Sequence, residues 1–247
     1  MWKRLLSICL ITGLLHPVAF GAIYTGNGNS GFGGVIGTGT LELAQVGTTG
    51  VINGTVTKGT ADFNDELVIY LNTTVGGFNT TSTFDDNGDT LRRAISGLSF
   101  DGTNRATLNF SAGFDADYAI ALSVNDFDFA GLFSLSETGA HGFVADLGLT
   151  PIDPSDASTS FSFDLASLGL APGNSFEFVG AYLNGDDAFR ADEAIGDGIA
   201  PGNPGQGTTV AYTGSRTFST VTAVPEPSSV AFIALGAGAA VLRRRRR

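Results

Sequence analysis

The chain has 247 residues, 35 of them glycine, and a formal net charge of −11 from 13 basic and 24 acidic residues. Lys3, Arg4 and Arg243 to Arg247 hold most of the positive charge at the two ends, so residues 22–222 carry only 6 basic against 23 acidic residues. Such a balance repels nucleic acid and anionic membrane surfaces, while the single cysteine, Cys9, leaves the remainder without disulfides, a thiol nucleophile or a cysteine metal site.

Lys3 and Arg4 precede an apolar stretch from Leu5 to Leu15, and small residues follow at Ala19 and Gly21. That order predicts a secretory signal peptide over 1–21, cut between Gly21 and Ala22. The apolar stretch is too short for a permanent anchor. Ile8, rather than a small residue, precedes Cys9, which argues against lipidation. Residues 22–222 then have the length of one exported domain, enough to bury a core without staples.

Alternation with period two predicts half-buried strands along that domain. The runs are GTLELAQV, GVINGTVTKG, DELVIYLNTT, RATLNFSAG, DYAIALSV, NDFDF, FSFDL, SFEFVGAY, GTTVAYTG and RTFSTVTAV. Leu67, Ile69 and Leu71 share one face, as do Tyr118, Ile120, Leu122 and Val124; Phe127 and Phe129, Phe161 and Phe163, and Phe176 and Phe178 repeat the pattern. Short strands separated by Gly, Asn, Asp and Pro turns predict an all-β fold, an antiparallel β-sandwich or jelly roll with a phenylalanine-rich core. TLRRAIS predicts the one clear helix, N-capped by Asp89 and ended at Gly97, and LASLG after Asp164 predicts a further turn. GAIYTGNGNSGFGG and GDGIAPGNPGQG read as long mobile loops.

Candidate chemistry is spread over several acidic stretches. In DDNGDT, Asp85, Asn87 and Asp89 alternate as calcium ligands do, although Thr90 stands where an EF-hand needs glycine and Ser96 where it needs glutamate. A calcium loop and a polar turn leading into a capped helix are the two readings; NGDD (184–187) and ADE (191–193) pose the same choice against solvated loops. Asp115 with Asp117, and Asp126 with Asp128, offer the paired carboxylates of a glycosidase, against a purely solubilising role. His141 has no G-x-S-x-G elbow, and one histidine without cysteine does not make a zinc centre. The Gly-x-Gly steps lack the strand, helix and basic residue of a phosphate loop, which leaves nucleotide binding without support. Tyr24, Tyr70, Tyr182 and Tyr212 are candidates to stack against a sugar or to fill the core.

The last stretch is AVPEPSSVAFIALGAGAAVLRRRRR, 223–247. Residues 228–242 carry no formal charge and, as a helix, would cover roughly 22 Å, a marginal membrane span. Arg243, Arg244, Arg245, Arg246 and Arg247 directly after it predict stop-transfer with the arginines in the cytoplasm, rather than a nucleic-acid patch. Pro225 and Pro227 around Glu226 hold the preceding backbone extended. Pro-Glu-Pro, one apolar helix and a terminal arginine cluster resemble the PEP-CTERM sorting signal. The resemblance implies processing by an exosortase near Pro225, Glu226 and Pro227 in a bacterium with an outer membrane, with transient membrane retention and then delivery to the cell surface or exopolysaccharide matrix. It implies no catalytic residue in this chain.

A second resemblance covers FDLASLGLAPGNSFEFVGAY (163–182), which is similar to a stretch of bacterial jelly-roll modules related to carbohydrate-binding domains. The expected function is a noncatalytic structural or glycan-binding module without a cofactor. The competing expectation is a secreted carbohydrate-active hydrolase built on paired carboxylates.

Overall fold

The computed structural model describes residues 20–74, 76–125, 128–151 and 153–222. Most of the expected leader, the sorting tail with its expected membrane helix, Asp126 and Phe127 lie outside the described residues. In chain order the elements are β1 (Phe20–Thr25), β2 (Thr40–Gln45), β3 (Val51–Thr57), β4 (Glu66–Asn72), helix α1 (Thr90–Ser96), β5 (Thr107–Asn109), β6 (Tyr118–Ser123), β7 (Phe129–Ser134), β8 (Gly142–Asp146), β9 (Ser158–Asp164), a 3₁₀ turn (Leu165–Leu168), β10 (Ser175–Asn184), β11 (Phe189–Ile195), β12 (Thr209–Ala211) and β13 (Arg216–Ser219).

Strands β1-β2-β3-β9 form one antiparallel sheet that obeys the expected alternation. Leu41 and Leu43, Ile52 and Val56, and Phe161 and Phe163 point inward, while Glu42, Asn53 and Ser162 face out. Gly54 sits opposite Phe161, whose ring lies across it; a methyl group there would come within 2.3 Å of the ring. Only glycine leaves room for that cover.

The larger sheet, β11-β10-β4-β6-β7-β8 with β13 also paired to β10, is antiparallel too, but it departs from the half-buried expectation. In β4, Leu67, Ile69 and Leu71 pack toward the smaller sheet, while Val68 and Tyr70 enter a second core on the opposite face. The sequence ELVIYLN is apolar at both parities, which suits a strand covered on both sides rather than a solvated one. The second core is closed by α1, by Leu108, Phe110, Phe114 and Tyr212, and by β5, which pairs in parallel with β12. Antiparallel sheets thus dominate, with one short parallel pair added in the covering layer. Each buried phenylalanine or leucine contributes about 1.5–3 kcal/mol, which compensates for the lack of disulfides.

The helix forms where capping chemistry dictates. Asp89 accepts from Arg92 N at 2.9 Å, and Gly97, at φ +66°, donates back to Ala94 O and Arg93 O. Asp164 and Gly169 bracket the 3₁₀ turn in the same way. These caps satisfy backbone groups that a short helix leaves open.

One stretch read as a mobile loop, and one with a solvated loop among its readings, are ordered differently. GAIYT (21–25) lies in strand β1, and the glycine-rich run after it wraps around a buried carboxylate. Glu193 Oε1 accepts from Phe32 N and Gly34 N at 2.8 Å each, and Oε2 from Ile36 N at 2.9 Å and Gly37 N at 3.2 Å. Neighbouring Asp192 accepts from Gly31 N and Gly202 N. A methyl group at Gly37 would collide with Asn29 O at 2.1 Å, so glycine lets the loop fold tightly enough to converge its amides. ADE (191–193), expected as an exposed loop, is therefore buried strand β11 and holds the N-terminal segment in place.

Candidate functional site

The open face beside α1 carries a groove of about 560 Å³ lined by Asp89, Thr90, Leu91, Arg92, Phe129, Phe133 and Phe143. Phe129 and Phe133 come from β7, four positions apart on one face with Gly131 between them, and Phe143 comes from β8. The β7–β8 register shifts between Leu132 and Phe133, and the pairing of Phe133 with Phe143 resumes beyond that irregularity. Bulges of this kind re-aim side chains at sheet edges. Phe143 meets Phe129 at 6.2 Å and Phe133 edge-on at 5.8 Å, yet remains 52 % exposed.

The polar rim is built by the helix cap. Asp89 holds the α1 N-terminus and pairs with Arg92, whose guanidinium lies 5.1 Å from the centre of the Phe133 ring and whose Nε is 3.4 Å from Asp86. An aromatic floor with a planar cation and a carboxylate at its edge can hold a flat, hydroxyl-bearing ligand. Ring faces contact its C–H surface, and the rim supplies charge-assisted hydrogen bonds.

The sequence-level candidates fall into place around this groove. Asp85 accepts from Gly139 N at 2.6 Å, Asn87 is exposed, and Asp89 serves the cap. Among the described residues no group of three or more His, Cys, Asp or Glu is placed to hold a metal ion. Asp86 is the buried member of the stretch, and it bridges Gly88 N and His141 N.

His141 itself is buried behind the groove. Its Nδ1 accepts from Ser136 N at 3.1 Å, which leaves the proton on Nε2 to donate to Ser96 Oγ at 3.0 Å. Asp86 binds the His141 backbone rather than its ring, and Ser96 is fully buried, so the three do not form an accessible triad. Burial lowers the imidazole pKa, with Asp86 opposing. The unfolded chain therefore binds this proton more readily than the fold does. Its contribution is complete above the unfolded value near 6.5 and is lost as pH falls through that value toward the lower folded one. Denaturant unfolding between pH 7.5 and pH 5 should show a steeper acid-side loss in the native protein than in a His141→Gln variant.

Asp115 and Asp117 are directed to different surroundings. Asp117 turns to the Thr73–Thr74 backbone, accepting at 2.8 and 3.0 Å, whereas Asp115 lines a separate, more polar cleft of about 560 Å³ with Asn72 and Glu177. Asp126 lies outside the described residues, which leaves Asp128 without its expected companion in view.

Of the two readings of the tyrosines, the core reading holds for three of the four. Tyr70, Tyr182 and Tyr212 are core residues whose hydroxyls meet Ile95 O, the Asn64 and Asp65 amides, and Gly180 O; burial drives the Tyr70 pKa up to about 12. Tyr24 packs edge-on against Phe178 and donates to Thr217 O. Exposed ring surface belongs instead to phenylalanines that the strand pattern had assigned to the core or passed over. The F-x-G-x-F spacing of residues 129–133 was the available signal.

Gly21 and Ala22, the expected cleavage pair, lie within β1, opposite Ala44 and Leu43. Cleavage between them would leave that strand as Ala22 to Thr25.

Residues 223–247 match the PEP-CTERM protein-sorting motif, including Pro225, Glu226, Pro227 and the arginines from Arg243 to Arg247. No curated protein and no solved structure matches the chain, so the likeness of residues 163–182 to carbohydrate-binding modules finds no support there. The chain thus ends in a PEP-CTERM protein-sorting motif, which implies processing by an exosortase and export toward the cell surface.

Proposed function

We propose that the exported domain is a noncatalytic glycan-binding module of the cell surface or its exopolysaccharide matrix, with the groove between α1, β7 and β8 as its binding site. The observation carrying this reading is the exposed ring of Phe143 beside Phe129, over a groove edged by Asp89 and Arg92. A neutral sugar suits a domain whose own acidity repels polyanions, and it suits a compartment where polysaccharide is the main solid phase. Asp89 and Arg92 are already oriented by the helix cap, which lowers the ordering cost of binding.

The test is a glycan array followed by calorimetry on the best hit. Phe143→Ala should weaken binding by about tenfold or more while leaving the unfolding midpoint nearly unchanged, because the ring is half in solvent. Unaltered affinity in that variant would overturn this site.

A second reading, a carbohydrate-active hydrolase, is favoured by the polar cleft that gathers Asp115 and Glu177 from different segments. Release of reducing sugar that disappears in Asp115→Asn would replace the noncatalytic assignment.

A further inference from the structure

The fold holds its polypeptide firmly until just before the sorting motif. Gln45, fully buried at the end of β2, closes its amide around Val221: Oε1 accepts from Val221 N at 2.7 Å and Nε2 donates to Val221 O at 3.0 Å. The same Nε2 donates to Thr49 O. One residue earlier, Thr220 is tied through its amide and hydroxyl to Asn174 O and receives Gly173 N. Three residues separate Val221 from Pro225, so Pro225 stands within roughly 14 Å of the clamp and Ser228 within roughly 25 Å, even with a fully extended backbone.

The surface around this exit is unusually apolar for so acidic a domain. Ile23 on edge strand β1 is 66 % exposed, and Val46, next to Gln45, is 36 % exposed. Phe20 is exposed as well, but it precedes the expected leader cut, so the argument rests on Ile23 and Val46. Between β1 and β13 runs a cleft of about 440 Å³ whose lining includes Ala22, Tyr24, Phe218 and Val221. The aromatic groove lies at the other margin of the molecule: β1 sits over β10 and β13, through Tyr24 on Phe178 and Thr217, whereas β8 closes the opposite end of the large sheet.

We propose that the β1 edge with the β2–β3 turn is the membrane-facing surface of the uncleaved protein, resting on the outer boundary of the bilayer into which residues 228–242 insert. The short connection keeps this edge close to the lipid. Ile23 and Val46 are too few to hold a strongly anionic domain on a membrane unaided, and exposed Glu42, cross-strand from Ile23, keeps the contact shallow. Tethering raises their effective concentration at the interface to the millimolar range, where a weak contact suffices. Once the tether is cut, the same contact fails. The groove, on the far margin, faces outward throughout.

Because Cys9 is the only cysteine, single-site labelling is direct in a Cys9→Ser background. Full-length protein carrying Ile23→Cys, Val46→Cys or the distant Phe100→Cys is labelled with a small environment-sensitive dye and reconstituted in phosphatidylcholine vesicles doped with headgroup-quencher lipid. Quenching should be at least about threefold stronger at positions 23 and 46 than at 100, weaker on anionic vesicles, and abolished when residues 223–247 are removed. Equal quenching at the three positions would overturn the proposal, as would quenching at 23 and 46 that survives removal of the tail. A blue shift without lipid quenching would assign the edge to a protein contact and would overturn it too. Glycan binding does not enter this readout, so failure of one assignment leaves the other intact.

Discussion

Glu193→Gln is expected to cost the domain about 3–5 kcal/mol, a large share of the 5–15 kcal/mol that stabilises an ordinary fold. The carboxylate is acceptor-only and sits at the convergence of four backbone N–H groups, two on each oxygen. A glutamine keeps the shape but turns one oxygen into a donor that faces two amides. Two charge-assisted hydrogen bonds are then lost, each worth about 1.5–3 kcal/mol, and the amides they served are left unmet in a buried site. Urea unfolding should show the loss as a lowered midpoint. Limited proteolysis should locate it, because the segment from Asn29 to Gly37 would open first. A variant that unfolds like the native protein, with that loop still protected, would mean the amides find other acceptors.

Arg190→Met is expected to act in the opposite direction and raise stability by about 1–4 kcal/mol. Arg190 also lies on β11 and is fully buried, but it faces the second core. Its Nη2 donates to Ala106 O at 2.9 Å, while Nε and Nη1 meet no protein acceptor. The groups acting on it are the Tyr70 and Tyr212 hydroxyls, and burial lowers its pKa despite them. Methionine has a similar length, fills irregular apolar space, and carries no charge to desolvate. Losing the charge-assisted bond to Ala106 O costs about 1.5–3 kcal/mol, less than the several kcal/mol that burying an incompletely paired cation costs. Equilibrium unfolding of the variant decides the sign; a lowered midpoint would show that the cation is compensated within the core. The two substitutions, three residues apart on one strand, separate a buried charge whose hydrogen bonds are complete from one whose bonds are not.

Legibility in the sequence followed the range of the interactions. Local chemistry could be read directly: Asp89 and Gly97 delimit α1, Asp164 starts the 3₁₀ turn, and the sorting motif is a linear signal that needs no fold. Strands β2, β3 and β9 were legible because they obey a single alternation. The two-sided burial of β4 was readable only by noting that Val68 and Tyr70 are as apolar as their neighbours. Long-range convergence was hidden. Nothing in ADE distinguishes a solvated loop from a carboxylate that waits for amides more than 150 residues away. The groove depends on a register shift between β7 and β8, which brings Phe143 against residues from the α1 cap. The sequence left the tyrosines open between sugar stacking and core, because a hydroxyl by itself fixes neither; backbone carbonyls deep in the second core take up those of Tyr70 and Tyr212.

The embrace of Val221 by Gln45 spans 176 positions of sequence, and β13 completes the margin of the large sheet from the same late segment. A polypeptide threaded outward from its N-terminus therefore cannot finish either feature until nearly the whole domain has crossed. β1 can pair early with β2, but the glycine-rich wrap lacks its carboxylate until Glu193 has emerged, and Gln45 lacks its partner until Val221 has. The last contacts that complete the architecture thus lie immediately ahead of the sorting motif at 223–247, so folding of the domain is finished by the same stretch of chain that leads into its export signal.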